Sequence, residues 1–291
     1  MIALVTVRLL EGKPIANRIR DDVAARAAAL RARGVTPHCS VFVGEGDSEG
    51  AFYAASLKKV GEKVGVDVSV SELAPAAGTA PFLDAIARSA ADKSVHGILV
   101  QRPLPSPLDL LTITRAIPYE KDVDGASPLS LGLLAQGAPY FVPATAAAVV
   151  EILHDPALPA LSGTRATVIG RSAVVGRPVA SLLTLADATV TVCHSRTRDL
   201  DAICRSSDIL VVAIGKPRFV SGAMVKRGAT VVDVGTNLVD GEVVGDVDAA
   251  SVASIAGALT PVPGGVGVVT TSIMLRNVVA AAEHSTLSST P

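Results

Sequence analysis

The feature that most constrains this chain is an alternation sustained along nearly its whole length. Short runs rich in Val, Ile and Thr are followed repeatedly by Ala-rich segments of helical period. PIANRIRDDVAARAAALRARG reads as an amphipathic helix ending at Gly34, HCSVFVGEG as a strand, and the segment holding FYAASLKKVGEKVG as a second helix. VDVSVSEL is then a strand, APFLDAIARSAADKS a helix, and HGILVQRPLP a strand running into a proline-rich loop. In the second half a helix from about Ala146 to Leu153 leads into strands ATVIG (166–170), ATVTVCHS (188–195), DILVVAIG (208–215) and ATVVDVG (229–235). Helical segments such as PVASLLTL lie between some of these. This βαβ order implies an α/β chain with parallel sheets and helices on both faces. The stretch YEKDVDGASPLSLGLLAQGAPYFVPAT breaks the pattern. It is rich in Gly, Pro, Asp and Ser and reads as an irregular link between domains or the edge of a cleft.

At 291 residues the chain has room for two domains, and its 49% hydrophobic and 18% charged content excludes a disordered segment. A formal charge of −1 argues against a nucleic-acid partner. Cys39, Cys193 and Cys204 are odd in number and form no CxxC pair, so neither a disulfide framework nor a metal site is expected. The opening MIALVTVRLLEGKPIANRIR is charged by residue 8 and lacks a small-residue cleavage site. Apolar runs such as ILVVAIG fall far below the ~18–20 residues of a membrane span. The expectation is a soluble, cytoplasmic protein with no membrane partner.

The site most readable from the residues alone is RATVIGRSAVVGRPVASLL. A buried strand runs into Gly170, then a tight turn, then Gly176 and a helix with Pro178 in its first turn. A strand end, a glycine turn and a helix N-terminus with free N–H groups are what a doubly wound sheet uses to hold a dinucleotide. The spacing is not GxGxxG: Ser172 stands where the second glycine would be, and Gly176 comes one residue late. At the end of the next strand, where an acid would hold the ribose of NAD, the chain has His194, Ser195 and Arg196. With Arg171 on the turn, these residues suit a 2′-phosphate, so NADP is favoured over NAD. A solvated loop is the competing reading of Arg196 and Arg198.

Three further segments, GILVQRPLP (97–105), KDVDG (121–125) and TPVPGGVG (260–267), fit no generic dehydrogenase. Together with VIGRSAVVG, ATVTVCHSRT and VVDVGTN, in that family's order from about residue 10 to residue 280, they closely resemble the methylenetetrahydrofolate dehydrogenase/methenyltetrahydrofolate cyclohydrolase family. The resemblance implies two α/β domains around a cleft, the second a Rossmann-type NADP-binding domain with a parallel sheet. It places residues 1–148 with 270–291 in a folate-binding catalytic domain and 149–269 in the nucleotide domain. It also implies a homodimer, and a C-terminal helix at about Thr270 to Glu283 that returns to the first domain; the last nine residues, EHSTLSSTP, are polar by composition and expected to fray. The implied reaction oxidises 5,10-methylenetetrahydrofolate with NADP, and most members then hydrolyse the methenyl product.

By position, the resemblance assigns Gln101 to orient catalytic groups, Asp124 to accept hydrogen bonds from the pterin, and Tyr53 to stack on or orient its ring. Gly264, Gly265 and Gly267 would close backbone against substrate and nicotinamide, with Val268 beside them. Gly170, Arg171, Ser172, Gly176, Ser195, Arg196 and Thr236 would hold the cofactor. In the family a lysine, the acid/base of the hydrolytic step, follows the tyrosine by four residues. Here that residue is Leu57. A step of four turns a helix by about 400°, whereas Lys58 lies some 140° off the face of Tyr53 and Lys59 some 120° off on the other side. Lys58 could act only if a π-bulge turned it inward. Further departures cluster in the substrate half: VQRPLP with Arg102 for VQLPLP, DGASP for a DGFHP-like stretch, PATA at Pro143 to Ala146 for PCTP, and Val268–Val269 for Pro-Met. The expectation is a dehydrogenase whose cyclohydrolase step is weak or absent. The alternatives are a diverged paralogue acting on another one-carbon or pterin-like substrate, and a non-catalytic NADP- or folate-binding protein.

Overall fold

A computed structural model describes residues 7–74, 78–102, 104, 106 and 108–287. In chain order its elements begin with β1 (Arg8–Leu9), α1 (Gly12–Ala32), β2 (His38–Gly44), α2 (Ser48–Val64), β3 (Asp67–Leu73), α3 (Ala80–Ala91) and β4 (Gly97–Val100). Three helices follow, α4 (Leu110–Arg115), α5 (Pro128–Ala135) and α6 (Ala144–Leu153), and then β5 (Arg165–Ile169), α7 (Gly176–Leu185), β6 (Thr189–Cys193), α8 (Leu200–Arg205) and β7 (Ile209–Val212). The chain closes with β8 (Thr230–Asp233), β9 (Asn237–Val239), β10 (Glu242–Val244), α9 (Ala249–Val252), β11 (Ala258–Leu259) and α10 (Val266–Leu287). Two compact units result, Asn17–Ala144 with Thr271–Pro291, and Met1–Ala16 with Thr145–Thr270.

The unit of Asn17–Ala144 and Thr271–Pro291 is built on a parallel sheet ordered β3-β2-β4. Central β2 is buried from Cys39 to Gly44, as a strand covered on both faces must be. Helix α2 turns Gly50, Ala54, Leu57, Gly61 and Val64 inward, an alternating step of four and three. Its ends are set locally: Asp47 accepts from the Gly50 amide, and Gly65 takes a left-handed φ of 81°. Next to β4 the KDVDG segment adds a short parallel bridge, Ile98 to Asp122, and the Ile98 amide donates to the Lys121 carbonyl at 2.7 Å. Asp122, 1% exposed, accepts from the Ala126 and Ser127 amides and the Ser130 hydroxyl. Asn277 of α10 donates to the Val123 carbonyl at 2.8 Å. Gly97 is required here, because a Cβ would lie 2.8 Å from the Val123 side chain.

The unit of Met1–Ala16 and Thr145–Thr270 holds an all-parallel sheet ordered β1-β11-β8-β7-β5-β6 and a separate antiparallel hairpin, β9–β10. Strands β7 and β8 are continuous buried runs, as parallel sheets demand. From β5 the chain passes to β6 on one side and then crosses back to β7 on the other, so the winding reverses at β5. Ligands in such sheets bind beyond the carboxyl ends of the strands at that reversal.

Several elements differ from the sequence expectation. Residues near the start were grouped with the first domain, yet Arg8 and Leu9 pair with Ala258 and Leu259 at the edge of the six-stranded sheet. The stretch read as irregular contains α5, capped by Ser127 with Pro128 in its first turn. Helix α10 starts at Val266 rather than Thr270 and stays helical to Leu287, four residues past Glu283. By composition α10 is long and apolar enough to cross a membrane, but 56% of its apolar window is buried inside the structure, as in a core helix. Pro103 and Pro105 of the proline-rich loop and residues 288–291 of the tail lie outside the described residues.

The hydrogen bonds to Asp122 generate a stability prediction. Asp122→Ala leaves two amides and a hydroxyl without their acceptor in a buried turn, and urea denaturation should show a loss of about 3 kcal/mol. A loss below about 1 kcal/mol would mean that the turn is held by other contacts.

Candidate active site

The nucleotide side is built where β5 ends. Gly170 has a φ of 129°, and a Cβ there would lie 2.2 Å from the Ala213 carbonyl oxygen. Its amide donates to the Cys193 carbonyl at 2.9 Å, and the Ala213 amide to the Ile169 carbonyl at 2.8 Å. Gly170 is thus wedged between the ends of β6 and β7, a place only glycine can occupy. Gly176 is equally constrained, since a Cβ would stand 2.2 Å from the Gly170 carbonyl oxygen.

The helix N-terminus is not as open as the sequence suggested. The Ser172 hydroxyl accepts from the amides of Val175 and Gly176 at 3.2 and 3.3 Å, and its carbonyl accepts from Arg177. Ser172 therefore shapes the turn with its side chain, and those three amides are already engaged. Arg171 and Ser172 are exposed, as are Ser195 and Arg196 in the turn after β6. That turn is held by the His194 amide donating to Thr197 Oγ1 and the Arg196 amide donating to His194 Nδ1. Two arginines consequently lie on turns at the carboxyl ends of adjacent strands, and 194–198 contains no carboxylate.

Thr236 follows β8 and lines a cavity of about 200 Å3 together with Gly264, Gly265, Gly267 and Val268. The structure thus brings a residue assigned to the cofactor and residues assigned to the substrate onto one wall. Two carboxylates that the sequence reading passed over fix the loops around it. Asp246 accepts from the amides of Ile214, Gly215 and Lys216 and from Asn237 Nδ2. Asp233 accepts from the amides of Gly235, Asp246 and Val247, and burial lifts its carboxyl to about 6 against the pull of those amides. An acid closing the buried β8 run in VVDVG, and a second two residues past β10 in VVGDV, were the available signal.

The other unit holds Tyr53, Gln101 and Asp124. Tyr53 sits on α2 and is hydrogen-bonded to Thr271 of α10; burial and the charge of Asp124 push its phenol well above the usual range, so it stays protonated. Gln101 follows β4, and its amide donates to the Phe42 carbonyl at 2.9 Å. Asp124 is largely buried, and burial raises its carboxyl to about 6 even though Arg102 and the Ala144 amide pull it down. Cys39 on β2 adds a buried thiol pushed up to about 12, by burial first and Asp124 second. Leu57, one turn after Tyr53, is 0% exposed and belongs to the core face of α2. Lys58 and Lys59 are exposed, and α2 is α-helical throughout, with no π-bulge to turn Lys58 inward. The structure therefore leaves Lys58 off the Tyr53 face, where it does not meet the condition for catalysis.

Comparison with known proteins agrees with this arrangement. Residues 10–124 match the model of the tetrahydrofolate dehydrogenase/cyclohydrolase catalytic domain, and residues 143–286 that of its NAD(P)-binding domain. The bifunctional protein FolD of Parafrankia sp. (strain EAN1pec) is 51% identical over 277 residues, covering 95% of this chain and 99% of its own. The crystal structure of the Campylobacter jejuni bifunctional enzyme FolD superposes with a TM-score of 0.93 at 36% identity, over 96% of this chain and 99% of that one. The Trypanosoma brucei enzyme, solved with NADP cofactor and inhibitor, gives a TM-score of 0.91 at 34% identity, over 96% and 98%.

The glycine turn yields a prediction. Gly176→Ala forces backbone apart at the Gly170 carbonyl, and fluorescence titration should show NADPH affinity at least about tenfold weaker, equivalent to ~1.4 kcal/mol. Unchanged affinity would remove this turn from the cofactor site. With two domain models matched in order across both units and half of its residues shared with a relative of nearly equal length, the chain belongs to the tetrahydrofolate dehydrogenase/cyclohydrolase family.

Proposed function

We propose that this protein oxidises 5,10-methylenetetrahydrofolate to the 5,10-methenyl form with NADP, and that its hydrolysis of the methenyl product is weak. The observation that carries the reading is Asp124, a buried carboxylate beside a protonated Tyr53 phenol. A carboxylate takes two parallel N–H donors, which suits the amino group and ring nitrogen of a pterin. Tyr53 offers an aromatic face and a hydroxyl, and Gln101 an amide with both donor and acceptor. The turns bearing Arg171 and Arg196 fit a phosphorylated ribose, while Gly170 and Gly176 let the backbone of the turn close tightly where a Cβ would strike the Ala213 and Gly170 carbonyl oxygens. NADP, when bound, supplies the hydride acceptor. Tyr53, Gln101 and Asp124 would hold the substrate ring and fix its orientation.

Hydrolysis asks for more, because water must be activated and protons moved. Leu57 cannot do this, and Lys58 faces outward. Relatives are named as bifunctional, so the reduced hydrolysis is a reading of this chain's own residues. Arg102 beside Asp124 is the observation that favours the second reading, a different pterin-like substrate for the same oxidation. We also take the protein to be a cytoplasmic homodimer without nucleic-acid or membrane partners. Its three free, buried thiols support a reducing compartment, and the family resemblance supports the dimer.

Purified protein should reduce NADP in the presence of methylenetetrahydrofolate. Its hydrolysis of methenyltetrahydrofolate, followed by loss of absorbance, should run about 10²- to 10⁴-fold below that of a relative with a lysine at the position of Leu57. Leu57→Lys should raise that hydrolysis at least about tenfold while lowering thermal stability, because it buries an amine. No NADPH formation with any reduced folate would sink the assignment, and hydrolysis as fast as oxidation would sink the split.

A further inference from the structure

The ion pair between Arg102 Nη2 and Asp124 Oδ2 links two side chains only 21% and 16% exposed. The groups that face Asp124 come from five places. Arg102 comes from the segment after β4 and Asp122 from the same turn as Asp124; Tyr53 comes from α2, Cys39 from β2 and the Ala144 amide from the start of α6. Among these Arg102 is the only cation, and Asp122 is a like charge fixed in its own hydrogen bonds. Leu57 adds no charge, and the two lysines after it face outward. A carboxylate so enclosed keeps its charge only if something nearby repays its lost hydration.

The geometry points to Arg102 as a positioning residue that keeps Asp124 ionised and correctly turned, and so fixes how far into acid the pterin subsite can bind. This rests on the reading of Asp124 as the acceptor of the pterin's N–H groups. A guanidinium offers donors only and is no proton carrier. Its effect is one-sided: it holds Asp124 in the form that accepts. Asp124 titrates near about 6, so binding is full above that value and fades as pH falls through it. Removing the guanidinium favours the neutral acid, which moves the fading point upward.

The test uses full-length protein with Asp carboxyl carbons labelled by ¹³C, Asp124→Asn serving to assign the Asp124 resonance. In Arg102→Leu the Asp124 titration should move up by about one pH unit or more, the size expected for losing a neighbouring opposite charge. Calorimetric binding of tetrahydrofolate with saturating NADP should lose its acid limb by the same interval, giving affinity about fivefold or more weaker near pH 6 and little change near pH 8.5. Arg102→Lys should restore both profiles to within a few tenths of a unit. An unmoved titration in Arg102→Leu would overturn the proposal. So would a uniform loss of affinity at every pH, which would make Arg102 a direct contact to substrate, or tighter binding at every pH, which would make it an occluder. If tetrahydrofolate fails to bind the unaltered protein, the functional reading falls, and the carboxyl titration still decides the role of the pair.

Discussion

Taking a carboxylate out of water is costly unless donors replace the water, and this chain does so at four aspartates. Asp122, Asp233 and Asp246 each accept from three or four donors, nearly all of them backbone amides of loops that must keep one shape. These three act as knots, drawing the strand ends and the turns beyond them into fixed positions. Asp124 is treated differently. Among the described residues it has one amide and one guanidinium, and its carboxyl is left near 6. A buried acid with acceptor capacity to spare is expensive in a protein that binds nothing there. Its incomplete partnering separates Asp124 from the three structural carboxylates and supports the binding role proposed for it.

The same contrast explains how the knots serve the site. Asp122 lies two residues before Asp124, and its hydrogen bonds tie the turn to the start of α5 while the Ile98 bridge ties it to β4. The turn is therefore as rigid as the sheet edge it extends, and Asp124 inherits that rigidity. In the nucleotide unit Asp246 gathers the Ile214–Lys216 amides and Asn237 on one carboxylate, which sets the loops after β7 and β8 relative to one another. Thr236 lies between Gly235 and Asn237, which Asp233 and Asp246 anchor, and its place on the cavity wall is thereby fixed.

Much of this was legible in the sequence because its physics is local. The period of apolar residues gave β2, β5, β7 and β8 to within a few residues, since buried parallel strands must be continuous Val/Ile runs. Gly170 and Gly176 were visible as glycines, although only the structure shows the carbonyls that crowd them. Helix α5 was missed because Gly and Pro nearby masked a good cap, Ser127 followed by Pro128. The pairing of β1 with β11 was not readable at all, since it joins residues 250 apart through two-residue strands. Ser172 was read as a cofactor contact from its place in the motif; its hydrogen bonds to Val175 and Gly176 depend on the turn's conformation, which spacing does not encode.

The departure at Leu57 is where sequence and structure bear on each other most closely. On helical geometry alone a residue four after Tyr53 shares its face, and in this chain that face is also the core face, with Ala54, Leu57 and Gly61 buried in succession. An amine there would have to extend past the core toward the phenol, and a leucine simply stays in it. A leucine at this position can neither give nor take protons, and the guanidinium of Arg102 is no substitute for an amine that can. Oxidation of a methylene bridge depends on orientation and on the nitrogen lone pairs that stabilise the developing cation, both compatible with a fixed guanidinium–carboxylate pair. Hydrolysis depends on proton traffic, which a permanently charged guanidinium does not carry. On the reading proposed above, the pocket holds its ligand for hydride transfer, and position 57 offers no group suited to the second step.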